Sequence, residues 1–165
     1  MNPILEKEPV KRAEKSIKEF DPSLKIVCLE QTARTAQDAA TALGCSVGAI
    51  VKSLLFNAGD NYVLCLVSGD KRCSLNKLKK ILNKKDVSMA KPEDVKEITG
   101  YTIGGVSPVG HLTKVKIYID SSLKRFTTVF AAAGHPNCVF KINFNQLSNL
   151  TLGEIKDLIE WDNQN

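Results

Sequence analysis

Val10, Ala13, Ile17 and Phe20 recur at helical spacing, with Pro9 suited to a first turn and Asp21-Pro22 ending the run. The pattern predicts an amphipathic helix over residues 1–23, packed on or appended to a body formed by residues 24–165. Ile26, Val27 and Leu29 favour a strand across Lys25–Glu30. Thr35 followed by Asp38 resembles a capping box, opening a helix through Ala39, Ala40 and Leu43 that Gly44 closes. A further helical turn is expected over residues 46–49. The run Ile50-Val51-Lys52-Ser53-Leu54-Leu55-Phe56 reads as a largely buried strand. A turn containing Gly59-Asp60 sends the chain back as a second strand, Tyr62 to Ser68.

Beyond Gly69-Asp70, Ser74 is placed to cap a helix whose buried stripe is Leu75, Leu78, Ile81 and Leu82, with Lys77, Lys80 and Lys84 on the opposite face. A short strand over residues 86–89 precedes a helix begun by Pro92 and ended at Gly100. Strands follow over residues 115–120, 127–132 and 138–143. The last two are joined by Gly134-His135-Pro136-Asn137. Asn143, and Thr151 with Glu154, read as N-caps, so the chain is expected to finish on helices that include Ile155, Leu158, Ile159 and Trp161. Hairpins mixed with helices point to one mixed α/β (α+β) domain, built on a curved, mainly antiparallel sheet flanked by helices. Tight turns between neighbouring strands argue against a doubly wound parallel sheet.

Composition adds limits. No apolar run approaches the roughly 18 residues a membrane span needs, and no apolar signal core opens the chain, so a cytoplasmic protein without a membrane partner is expected. At 165 residues the monomer is the default. Five scattered cysteines without a C-x-x-C pair indicate neither a zinc site nor a disulfide framework, and read best as small buried hydrophobes. Cys73 alone neighbours basic residues that could lower its pKa. The net charge of +5 is unevenly spread: residues 71–91 hold eight Lys or Arg against one acid, Asp86. That window suggests a polyanion, nucleic acid before membrane, although a solvated basic helix has the same composition.

Two features carry candidate chemistry. The first is Gly100-Tyr101-Thr102-Ile103-Gly104-Gly105-Val106-Ser107-Pro108-Val109-Gly110-His111, unfit for helix or strand and suited to bringing bare backbone N–H groups against a ligand. It lacks the Gly-Lys-Ser/Thr of a phosphate loop and the dinucleotide-fold context; an oxyanion hole fits it better, and an ordinary surface loop is the plain alternative. The second is Lys52, which shares a strand face with Ile50, Leu54 and Phe56. Such an ammonium either snorkels from the strand end or lines a ligand site. His111 reads best as an exposed loop residue, while His135 fits a turn residue and a ligand contact equally. No metal cluster, cofactor motif or nucleophile elbow is present, so no metal or cofactor is expected.

Taken together, Ala49 to Leu55, Gly69-Asp70-Lys71-Arg72 leading to Lys77-Leu78, Gly100 to Gly110, Ile119-Asp120 and Ala133-Gly134-His135-Pro136 resemble the YbaK/ProX family. These are aminoacyl-tRNA deacylase domains, free-standing or inserted in prolyl-tRNA synthetases. The resemblance runs from about Thr35 to the C-terminus. It implies hydrolysis of an amino acid wrongly attached to a tRNA, with aminoacylated tRNA-Pro, and possible association with prolyl-tRNA synthetase, as the partners. Lys52 matches the lysine that engages the aminoacylated end. Gly104, Gly105, Ser107 and Pro108 fall in the G-x-x-x-P loop that holds carbonyl and water. Asp120, Gly134 and His135 match positions flanking the pocket. Charge adds Lys77, Lys80 and Lys84 as tRNA-backbone contacts.

This chain departs from the family in two places. Ser74 stands where members often carry an acid. The cysteine-specific subgroup has a serine and then Gly-Gly near residues 132–134, where this chain has Ala132 and Ala133. The expected substrate is therefore tRNA-Pro bearing a small non-cognate residue, alanine or cysteine, with alanine at least as well supported. A non-catalytic tRNA- or RNA-binding module and a small-molecule esterase are the alternatives.

Overall fold

Lys7 precedes helix α1 (Glu8–Phe20), with Pro9 in its first turn, in a computed structural model that describes residues 3–30 and 35–161. Residues 1–2 of the predicted N-terminal helix lie outside the described residues. Val10, Ala13 and Ile17 are buried as one stripe, and a short 3-10 turn, Pro3–Glu6, precedes the helix. Strand β1 (Ile26–Cys28) leads toward α2 (Ala36–Leu43), where Thr35 Oγ1 accepts from Asp38 N and Gly44 closes the helix at φ 67°. The hairpin β2 (Val51–Ala58) and β3 (Asn61–Ser68) follows, then β4 (Arg72–Cys73) and α3 (Leu75–Leu82), capped by the Ser74 hydroxyl. Next come β5 (Val87–Met89) and α4 (Pro92–Thr99), which ends on Gly100 at φ 80°. The remainder is β6 (Lys116–Asp120), β7 (Val129–His135), β8 (Cys138–Ile142), α5 (Phe144–Thr151), β9 (Glu154–Lys156) and β10 (Ile159–Glu160).

A five-stranded sheet in the order β5-β2-β3-β6-β9 forms the centre. Its two-residue alternation sorts the core. Val51, Leu55, Leu64 and Leu66 face the larger apolar cluster, which also takes in the α1 stripe; Phe56, Val63, Cys65 and Val67 face a second cluster completed by Leu78, Leu158 and Ile159. Truncating a fully buried residue such as Leu64 to alanine costs about 2–5 kcal/mol. The expected mixed architecture stands, with mostly antiparallel pairings; β3 with β6 and β6 with β9 are parallel.

A second sheet, β1-β8-β7, touches the first at one parallel bridge, Ile50 to Phe130. Strand β2 pairs with β5 only over Phe56–Ala58. The edge of β2 before that point, residues 51–54, has no ladder partner on that side among the described residues, and β7 diverges from it. A wedge opens between the two sheets.

The C-terminus corrects the sequence expectation. Thr151 ends α5 rather than capping a new helix: its hydroxyl donates to Leu147 O (2.9 Å) and accepts from Gly153 N (3.1 Å), and Leu152 turns left-handed at φ 56°. The chain then extends, β9 beside β6 and β10 beside β4. Leu158 and Ile159 are buried against Cys65, Val67 and Leu78, whereas Ile155 and Trp161 are exposed. The helical spacing of these four residues is coincidental, because sheet partners distant in sequence claim the segment.

Candidate active site

The wedge between β2 and β7 is a cavity of about 280 Å³. Ala36 and Ala39 of α2, Phe130 and Ala132 of β7, Val139 of β8 and Pro136 supply apolar walls, and Ile103, Gly104 and Val106 bring the glycine-rich loop to its rim. The floor is the unpaired edge of β2. Leu55 O accepts from Ala90 N on that side (3.0 Å), so strand alternation turns the main-chain groups of Ser53 the same way, into the wedge. Ser53 Oγ is buried and without a hydrogen-bond partner. An unmade bond of this kind costs about 1–3 kcal/mol.

Lys52 stands where this cavity meets a larger groove of about 800 Å³, and it lines both. The side chain is half-buried, and Nζ donates to Lys71 O at 2.5 Å. Burial lowers its pKa, opposed by the charge of Asp70. Lys52 thus opens onto both cavities.

The loop owes its shape to Gly100, which at φ 80° turns the chain out of α4. Tyr101 then drops into the core, where burial pushes its phenol up to about 12. The protonated hydroxyl donates to Val109 O (2.8 Å) and Gly110 O (3.1 Å). Gly105 N donates to Thr102 O (2.9 Å), closing a turn, and a Cβ on Gly105 would meet His135 Cα at 2.9 Å. Gly104, at φ 91°, lines the cavity, and no described residue accepts its N–H. The two glycines thus differ in surroundings: Gly105 is packed against the His135 backbone, whereas Gly104 lies at the cavity.

Other expected site residues support rather than line the wedge. Ser107 and Pro108 are buried behind the loop, Ser107 Oγ accepting from Val109 N (3.2 Å). Asp120 is fully buried. Its Oδ2 accepts from Ser122 N (2.9 Å) and its Oδ1 from Leu158 N (2.7 Å), so it anchors the C-terminal strands. Gly134 lets α1 approach, since a Cβ there would lie 2.5 Å from Pro9 O. His135 Nδ1 accepts from Asn137 N (3.0 Å), capping its own hairpin turn, and burial and the Lys7 charge lower its pKa.

Lys77 is engaged with the Asp157 carboxylate (2.9 Å) and Ile159 O (2.7 Å), while Lys80 and Lys84 are exposed. His111 corrects its expectation as an exposed residue. It is half-buried, packs edge-on to Tyr101 and bonds Ser107 O through Nε2 (2.7 Å), with burial the main cause of a lowered pKa. Cys73 lines the groove beside Lys52. Its thiol is lowered by the hydrogen bond from the buried Cys65 thiol, with the Lys52 charge assisting. Among the described residues no cluster of His, Cys, Asp or Glu is arranged to hold a metal ion, and no helix is long and apolar enough to cross a membrane.

Sequence reasoning missed Ser53 and Arg12. Ser53, beside Lys52, reads as ordinary strand polarity and gave no signal of its own. Arg12 gave none, because it sits among the polar positions of an amphipathic helix.

The protein YwhH of Bacillus subtilis (strain 168), itself uncharacterized, is 35% identical over 127 residues, covering 76% of this chain and 80% of YwhH. Proline–tRNA ligase of Thermosipho melanesiensis is 36% identical over 126 residues, which span 76% of this chain but 22% of that enzyme. A solved structure of a proposed trans-editing enzyme for prolyl tRNA synthetase superposes with a TM-score of 0.89 at 38% identity, over 94% of this chain and 99% of that one. The aminoacyl-tRNA editing domain family matches residues 30–150, the stretch that builds β2, the loop and β7 around the wedge, and this chain belongs to that family.

Proposed function

We propose that this protein is a trans-editing hydrolase that removes a small non-cognate amino acid, alanine or cysteine, from tRNA-Pro. The observation that carries the reading is the position of Lys52 between a small apolar cavity and a large open groove. A substrate bridging them has a small acyl group on one side and a bulky body on the other, with the joining ester at the lysine. Its ammonium holds the ribose end of that ester, while Gly104 N–H meets the carbonyl oxygen as it becomes anionic, a contact worth about 3 kcal/mol in the transition state. Water adds to the carbonyl carbon, the tetrahedral intermediate collapses, and the departing ribose oxygen takes the proton.

No His, Asp or Glu lines the cavity among the described residues, so backbone groups and Ser53 Oγ orient the water and the substrate. The small volume and the walls of Ala36, Ala39, Ala132 and Val139 suit a small side chain such as that of alanine or cysteine. The tRNA-Pro assignment is supported by the proline–tRNA ligase relatives and by the trans-editing neighbour.

The test is deacylation of tRNA-Pro charged separately with proline, alanine, cysteine and serine, with Lys52→Ala alongside. Rapid loss of alanine or cysteine that disappears in Lys52→Ala is expected. Wild-type rates in that variant, or tight salt-sensitive binding with no turnover of any charged tRNA, would overturn the reading, the second outcome in favour of a non-catalytic tRNA-binding module.

A further inference from the structure

We infer that the groove on the far side of Lys52 is a binding site for the unpaired 3′-terminal nucleotides of a tRNA, with Trp161 as the stacking platform for one base and Lys71 and Arg72 facing the connecting phosphates. The inference rests on the editing reading above and extends it to a surface formed by β4 and the C-terminal strand. The groove is about 800 Å³, nearly three times the wedge cavity, and open to solvent. Leu54, Leu75 and Met89 give it an apolar floor.

Trp161 lines one end and is 52% exposed, an unusual position for the only tryptophan in the chain. The Lys71 ammonium lies 4.7 Å from the centre of its ring. An aromatic face beside a cation is the pairing that single-stranded nucleic acid selects, because every base stacks and every linkage is an anion.

Charge sorts the same way. Lys52, Lys71 and Arg72 line the groove with two acids, and one of these is neutralised within the protein: Asp70 is held to about 2 by Arg125, which bonds it at 2.7 Å. The other, Glu160, stands opposite Arg72 in the β10–β4 register. Continuity fixes direction. A chain whose ester lies at Lys52 and whose acyl group fills the wedge has the groove as its exit, and Lys71 already touches Lys52 through its carbonyl.

Trp161 is its own reporter. The probe is an RNA acceptor-stem hairpin ending in unpaired 3′ cytidine-cytidine-adenosine, compared with the same hairpin lacking those three nucleotides. The expected result is saturable quenching of tryptophan fluorescence by the first hairpin only, with a midpoint that rises with salt and with Lys71→Ala. In steady-state deacylation of alanyl-tRNA-Pro, Trp161→Ala is expected to raise KM about tenfold with a much smaller change in kcat, and Trp161→Phe to restore most of the loss. Wild-type turnover without quenching and without a KM effect overturns the groove assignment and leaves the editing reading intact. A loss confined to kcat marks a structural role and also overturns it. Quenching without turnover of any charged tRNA removes the editing reading while the groove stands, and absence of both removes both.

Discussion

Arg12 Nε donates to the carbonyl of Gly110 at 2.8 Å across 98 residues of sequence, so the first helix holds the end of the glycine-rich loop. The same guanidinium donates to Gly100 O (2.8 Å) and stacks 4.7 Å from the Tyr101 ring centre. Both ends of a loop that has little regular structure of its own are thereby tied to α1. Gly134, whose bare Cα admits Pro9, seats that helix against β7 on the other side of the wedge. The N-terminal helix, which falls outside the sequence resemblance, belongs to the framework of the site.

Arg12→Ala should therefore lower kcat for deacylation by about 10-fold or more, and it should reduce stability by about 1–3 kcal/mol through the carbonyls it leaves bare. Arg12→Lys, with a single charged donor and no planar fork, should recover only part of either loss. Hydrogen exchange of the loop amides checks the cause: faster exchange confined to residues 100–111 is expected, and unchanged exchange with lowered turnover would refute it.

The two central glycines should fail differently. In Gly105→Ala the new Cβ would lie 2.9–3.1 Å from the backbone atoms of His135, which have no side-chain freedom to yield, so the loop must move. In Gly104→Ala the nearest atom is Pro136 Cγ at 3.5 Å, an ordinary contact, and the cost is the positive φ, about 1–2 kcal/mol. Thermal unfolding should show Gly105→Ala as the less stable of the two. The reverse order would mean that the close approach of the loop to β7 is not a constraint.

Much of this fold could be read from local chemistry. Thr35, Ser74 and Asn143 cap the helices they were expected to cap, and Gly44 and Gly100 end theirs. Caps act within four residues, and a hairpin pairs neighbours, so both leave a local record. The C-terminal strands left none, because β9 and β10 are held by β6 and β4, and helical spacing survived there by chance. At the site, Lys52 was visible as a charge in an apolar strand. Ser53 was not, since a serine beside a lysine looks like ordinary polarity until the unpaired strand edge is seen. Cys73 was visible beside Lys71 and Arg72, but its sulfur partner Cys65 lies on another strand.

His111 gives a pH dependence with a defined sign. Ser107 O can only accept, so Nε2 carries a proton, and burial holds the ring's pKa below the ordinary 6.5, which favours the neutral form in the fold. The unfolded chain takes up a proton at a higher pH than the native one. This contribution to stability is complete above pH 6.5 and is lost as pH falls from there through the native value. Denaturant unfolding from pH 7.5 to pH 5 should show wild type losing stability more steeply than His111→Gln. His135, also lowered, remains in both proteins and cancels from the difference. Parallel curves would remove His111 as the source.

Ser53 allows the sharpest separation of folding from function. Ser53 lines the wedge and its hydroxyl is buried and unpartnered, so the free protein carries the cost of desolvating it without a bond in return. Ser53→Ala removes that cost along with one oxygen, and the small hole left behind costs less than a core truncation. Stability should be unchanged or should rise by up to about 1 kcal/mol. The same substitution deletes a group that, in the proposed reaction, meets the aminoacyl end or its water, so kcat/KM should fall by about 10-fold, the weight of one hydrogen bond to a charged or polarised partner. A structural serine predicts the opposite pairing, lost stability with turnover retained. Measuring unfolding and alanyl-tRNA-Pro deacylation on one preparation therefore decides whether the orphaned hydroxyl belongs to the fold or to the substrate.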